Sequence, residues 1–177
     1  MRALWIGVIG LAFGGVACGD EASPPVATAQ WLLRGSGQNF MPHLVDGQDG
    51  DEGIGVQCNV SGERFDLSVR QPTTDSNNAG VLRIINGTTG NSCRVEVEET
   101  PVGARTAQTY EGSCTTIPQN NGTDSCTLTV TDIGGGSVSG TLTCALLRPA
   151  NTGTDSETVE LVGPGGGPLT FQAQNCD

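Results

Sequence analysis

Seven cysteines, a single histidine and one cluster of acids are the residues of this 177-residue chain best suited to chemistry. A zinc site needs closely spaced thiolate pairs of the C-x-x-C kind. The cysteines here stand at 18, 58, 93, 114, 126, 144 and 176, and no two are close enough. The last six fit three structural disulfides, for which six cysteines allow 15 pairings. Cys114 closes one predicted strand and Cys126 opens the next across a short loop, so these two are expected to bridge. Cys58 with Cys93, and Cys144 with Cys176, complete the expected set.

The longest stretch without periodicity, Gly35 to Gly53, holds the only histidine, His43, and the acids Asp46, Asp49, Asp51 and Glu52. Carboxylates on a glycine-rich turn offer the six to eight oxygens that Ca²⁺ takes. Their spacing matches neither an EF-hand loop nor a nonapeptide calcium repeat, so a solvated acidic loop is the simpler reading. His43 would need a serine nucleophile and an orienting acid to act as a base. No Gly-x-Ser-x-Gly elbow accompanies it, so it reads as a surface histidine. Glu98 and Glu99 fall on opposite faces of one strand and cannot serve one glycosidic bond together. Trp31 and Phe40, with His43, are the candidate binding-loop residues; core packing beneath the loop is the alternative for the two aromatics. All eight basic residues are arginine. The absence of lysine removes Schiff-base chemistry and the P-loop, leaving the glycine runs at 134–136 and 163–167 as turns. The expected role is therefore non-enzymatic, binding or structural, without a cofactor; the alternatives are an adhesion-type module stabilised by Ca²⁺ in the acidic 46–52 loop and, behind it, an envelope hydrolase.

The elements that position these residues have a hydrophobic period of two. Phe65, Leu67 and Val69 alternate with polar neighbours, as do Cys93, Val95 and Val97, and Val138, Gly140, Leu142 and Cys144. Such alternation marks half-buried strands, and the Gly, Asn, Asp and Pro clusters between them are turn signals. Strands are predicted at 28–34, 54–60, 63–70, 79–86, 92–99, 105–113, 124–132, 137–147, 157–162 and 168–175. The expected fold is all-β: a disulfide-bridged antiparallel β-sandwich, or partly open barrel, of about eight to ten strands.

The N-terminus carries an address. Met1-Arg2, an apolar run from Ala3 to Phe13 and then Gly15-Val16-Ala17-Cys18 have the parts of a secretory signal, too short to span a bilayer. With cysteine directly after the small residues, the segment resembles a bacterial lipoprotein signal, and the resemblance implies that Cys18 receives a diacylglycerol thioether before cleavage. Ordinary cleavage after Ala17 is the alternative. Cysteine parity separates the two, because seven cysteines in an oxidising compartment strand one thiol, whereas acylation of Cys18 leaves six. The chain thus divides into a signal peptide (1–17), a lipidated cysteine and tether (18–28) and a single β domain (29–177). A net charge of -11 and a pI near 4.3 argue against nucleic acid. The expected location is a bacterial membrane, entered through acylated Cys18. The expected partners are that bilayer and an envelope protein or polysaccharide.

Overall fold

The computed structural model describes residues 23–35, 37–71, 80–115, 124–150 and 158–177. The signal segment and residues 18–22, Cys18 among them, lie outside the described residues, and the last three residues of the expected tether, 26–28, open β1. Eleven strands are described: β1 (Val26–Gly35), β2 (His43–Gln48), β3 (Gly55–Ser61), β4 (Arg64–Gln71), β5 (Gly80–Thr88), β6 (Ser92–Glu99), β7 (Gln108–Cys114), β8 (Asp124–Gly134), β9 (Ser137–Pro149), β10 (Val159–Val162) and β11 (Leu169–Gln174). Ten correspond to the strands read from hydrophobic alternation. The fold is all-β, and no helix among the described residues is long and apolar enough to cross a membrane.

β2 corrects the reading of residues 35–53 as a loop. His43 and Val45 point inward and Leu44 and Asp46 outward, an alternation too short and too polar to stand out. A 3₁₀ turn, Asp51–Gly53, follows it. The turn is entered through Gly50 at φ 89°, a left-handed conformation natural to glycine.

All strands join one sheet. β1 pairs on one edge with β2 and on the other with β10 and β11. The same two strands pair with β9, β11 along residues 138–142 and β10 near its C-terminal end. β10 and β11 therefore behave as one strand between β1 and β9, broken by an excursion at 163–168. Gly163 closes the neck of that excursion. A Cβ there would lie 2.6 Å from the Pro168 carbonyl oxygen, and the Gly163 amide donates to the Gly167 carbonyl at 2.7 Å. On the other side of β9, β8 pairs along residues 126–134, and β7 pairs with β9 at Tyr110 and Glu111. β8 enters between β7 and β9 through a short parallel contact, Ser113 with Asp124 and Cys114 with Cys126. From β7 an antiparallel run, β6-β5-β4-β3, completes the sheet.

The sheet doubles over on itself. Phe65 of β4 stacks on Phe171 of β11 with ring centroids 5.7 Å apart, which puts these strands in facing layers. The inward residues of both layers, among them Ala29, Trp31, Leu33, Val69, Ile84, Val97, Leu142 and Leu169, form one continuous core. Burying each larger aliphatic side chain stabilises by roughly 1.5–3 kcal/mol relative to exposure. At the open side the Asp177 amide donates to the Cys58 carbonyl and the Val60 amide to the Asp177 carbonyl, so the C-terminus closes against β3.

All six described cysteines are bridged, in a pattern that corrects the expected one: Cys58–Cys176, Cys93–Cys114 and Cys126–Cys144. Strand register is the reason. Cys93 is the direct partner of Cys114 across β6 and β7, and Cys126 that of Cys144 across β8 and β9. Cys58 meets Cys176 where the C-terminus returns to β3. The expected pairs Cys58–Cys93, Cys114–Cys126 and Cys144–Cys176 are not formed.

Candidate functional site

The only histidine does not lie on the surface. The inward phase of β2 carries His43 into the core, 2% exposed, where its ring stacks on Trp31 with centroids 5.0 Å apart. Glu99 ends the inward series Cys93, Val95, Val97 on β6 and is fully buried as well. His43 Nε2 and Glu99 Oε1 are 2.5 Å apart. On the far side of the ring, Nδ1 lies 2.9 Å from Gln71 Oε1 at the end of β4, and the Leu44 backbone amide donates to the same oxygen at 2.9 Å.

Those contacts fix the protons. A backbone amide only donates, so the Gln71 atom facing it is the carbonyl oxygen, and Nδ1 must carry hydrogen to bond with it. Nε2 and the Glu99 carboxyl then share the remaining proton, as imidazolium with carboxylate or imidazole with carboxylic acid; the pair is neutral overall in either form. Burial pushes the Glu99 carboxyl above its ordinary value of 4.5, an effect opposed by the hydrogen bond and charge of His43. Gly80, the first residue of β5, makes room for the ring, because a Cβ there would stand 2.5 Å from His43 Cε1. Two buried polar atoms at this cluster, Trp31 Nε1 and Glu99 Oε2, have no hydrogen-bond partner among the described residues.

The acids of the calcium reading do not converge. Asp46 Oδ1 accepts from the Thr28 hydroxyl at 3.0 Å, Asp49 Oδ1 from the Val56 amide at 2.8 Å and Asp51 Oδ2 from the Gln48 amide at 3.2 Å. Glu52 is exposed at φ 45°. Among the described residues no three His, Cys, Asp or Glu side chains are placed to hold a metal ion. Asp49 and Asp51 act on the backbone instead. The Leu44 and Gln48 amides on β2 are capped by Gln71 and Asp51, which blunts a strand edge open to pairing with another chain. The same device recurs elsewhere. Asp66 takes the Asn86 amide at the β4–β5 bulge, and Asn91 takes the Leu128 amide on β8.

Of the expected binding-loop residues, Trp31 and His43 stack together inside the core and Phe40 packs elsewhere. Trp31 is core, as the packing alternative held, and half-buried Phe40 meets Tyr110 edge to face at 5.8 Å. The feature that sequence reasoning missed is a groove of about 420 Å³ over β3, β4 and β5, lined by Gln57, Asn59, Asp66, Ser68, Arg83 and Asn86 among others. Its polar residues are the outward half of the same alternation that builds the core, but adjacency across three strands is a property of register. Comparison with protein-family models, with curated proteins and with solved structures finds no match to this chain.

Proposed function

We propose that this chain is an exported, lipid-anchored protein of a bacterial cell envelope whose β domain binds or supports rather than catalyses. The three bridges mark an oxidising, extracytoplasmic setting. The observation that carries the anchor is the completeness of that bridging. With the six described cysteines paired, Cys18 is the seventh and odd one, at the position where the lipoprotein-like signal puts the acylated residue. Two or three acyl chains, each buried methylene contributing about 0.8 kcal/mol, hold a domain durably at a bilayer.

A non-catalytic role is supported by the commitments of the reactive groups. His43 has both ring nitrogens engaged in the core, Asp49 and Asp51 hold backbone amides, and Asp46 holds the Thr28 hydroxyl. The groove over β3, β4 and β5, where Gln57, Asn59, Asp66, Arg83 and Asn86 supply donors and acceptors beside a larger apolar lining, is the face we assign to a partner such as an envelope polysaccharide.

Metabolic labelling with palmitate tests the anchor. Wild-type protein is expected to take up label and fractionate with membranes, and Cys18→Ser to lose both; labelling that survives the substitution contradicts the anchor. Co-sedimentation with insoluble envelope polysaccharide tests the groove. Retention is expected to fall several-fold in Asp66→Ala with Arg83→Ala, and equal retention of variant and wild type removes the groove from the account.

A further inference from the structure

Four of the six bridged cysteines occupy a single row. Cys93 on β6 pairs in register with Cys114 on β7, Cys114 with Cys126 on β8, and Cys126 with Cys144 on β9. All four are buried on the inner face, so their sulfurs follow one another across four neighbouring strands. Two bridges, Cys93–Cys114 and Cys126–Cys144, thus stand side by side, with the inner pair Cys114 and Cys126 adjacent but not bonded to each other. A second contact brings the bridges together. A Cβ on Gly112 would lie 2.9 Å from Cys126 Sγ, so that sulfur rests against β7 two residues before Cys114, where glycine leaves space for it.

We propose that this row is a thiol–disulfide exchange site, in which two-electron reduction of the outer Cys93–Cys114 bridge by a dithiol is passed to the Cys126–Cys144 bridge. The dithiol's thiolate attacks Cys93 Sγ, the Cys93–Cys114 bond breaks, and Cys114 leaves as a thiolate. The second thiol of the reagent resolves the mixed disulfide, freeing the Cys93 thiol and leaving the reagent as its own disulfide. Cys114 thiolate then attacks Cys126 Sγ and a Cys114–Cys126 bond forms. The Cys126–Cys144 bond breaks, and Cys144 departs as a thiolate that takes up a proton. One dithiol is oxidised, and the protein gains two electrons and two protons, as thiols at Cys93 and Cys144. Exchange of this kind needs a thiolate beside the disulfide it attacks, and the register supplies that proximity. Cys93 and Cys126 are each 6% exposed and Cys144 is wholly enclosed; entry at Cys93 is the productive route, because the thiolate it releases, Cys114, stands beside Cys126 of the next bridge. The crosslinks β6–β7 and β8–β9 are exchanged for a single one, β7–β8.

Full-length Cys18→Ser protein suits the test, because its result then does not depend on the state of Cys18. The folded protein is treated with limiting dithiothreitol, acid-quenched, alkylated with N-ethylmaleimide and mapped without reduction. Arg94, Asp124 and Asp132 separate the four cysteines when trypsin is combined with a protease that cuts after acidic residues. The species with two alkylated thiols is expected to carry label on Cys93 and Cys144 and to contain a Cys114–Cys126 peptide. Label confined to Cys93 with Cys114, or to Cys126 with Cys144, overturns the proposal, as does loss of both bridges with no two-thiol species. Adding Cys93→Ser provides an arm without reductant. There the single unpaired thiol is expected to move from Cys114 to Cys144, and a thiol that stays on Cys114 contradicts the exchange. Should that variant fail to fold, the reduction arm decides alone.

Discussion

His43 and Glu99 show how a charged pair can be enclosed without leaving net charge in the core. The Leu44 amide orients Gln71, Gln71 fixes the hydrogen on Nδ1, and one proton remains for Nε2 and the carboxyl. Removing one partner leaves the other buried without compensation. His43→Ala is therefore expected to cost about 3–5 kcal/mol in urea unfolding, and a loss below about 1 kcal/mol would mean that the pair contributes little. The sign of the pH dependence follows from the raised Glu99 value. The folded chain keeps the Glu99 proton to higher pH than the unfolded chain does, so this group's contribution is full below about 4.5 and is lost as pH rises through the folded value. The melting temperature of wild type relative to Glu99→Gln is expected to fall as pH increases from about 4.5. A difference that rises, or does not change, would refute the assignment. Half of this site was legible: alternation along Cys93, Val95 and Val97 places Glu99 on the inner face. The histidine was not, because its partners lie 28 and 56 residues away and nothing local distinguishes an enclosed imidazole from an exposed one.

Among the elements, the long strands were the readable ones. β4, β6 and β9 carry enough alternating apolar residues to declare both type and inner face, and Cys93 of β6 and Cys144 of β9 fall in the inward phase. β2 escaped because its inward positions are His43, Val45 and Gly47, of which only one is a conventional core residue. Disulfide partners escaped for a different reason. Phase gives the face a sulfur points to, whereas pairing depends on register, and register is decided by which strands become neighbours. The row of four made the expected Cys114–Cys126 bond a near neighbour of the real ones. Close packing between elements yields its own test. Gly80→Ala would drive a methyl group into the His43 ring, and overpacking of this kind typically costs 1–3 kcal/mol. At roughly 2–4 °C per kcal/mol for a domain of this size, its melting temperature is expected to drop by several degrees. An unchanged value would show that the ring can move aside.

For the whole molecule, the bridges differ in what they constrain. Cys58–Cys176 joins residues 118 apart and closes the C-terminus onto β3, whereas the other two span 21 and 18. Chain entropy assigns about 5 kcal/mol to the long loop and about 3 to each short one. Replacing Cys58 and Cys176 by alanine is thus expected to destabilise more than replacing Cys93 and Cys114, and the reverse order would contradict that role. A core with few large aromatics relies on such crosslinks, which in turn require an oxidising compartment. The same compartment gives the odd cysteine its meaning. Acidity, the absence of lysine and the all-β pattern restricted what the chain could do from its composition alone, while the groove over β3, β4 and β5 emerged only once three strands were side by side. The most direct measurement is the intact mass of the mature protein extracted from membranes, taken before and after treatment with a thiol-alkylating reagent. The lipid-anchored protein is expected to begin at Cys18, to be heavier than its sequence by a diacylglycerol thioether and to be unchanged by the reagent. A chain of bare sequence mass, or one that gains a single alkyl group at Cys18, would contradict the anchor.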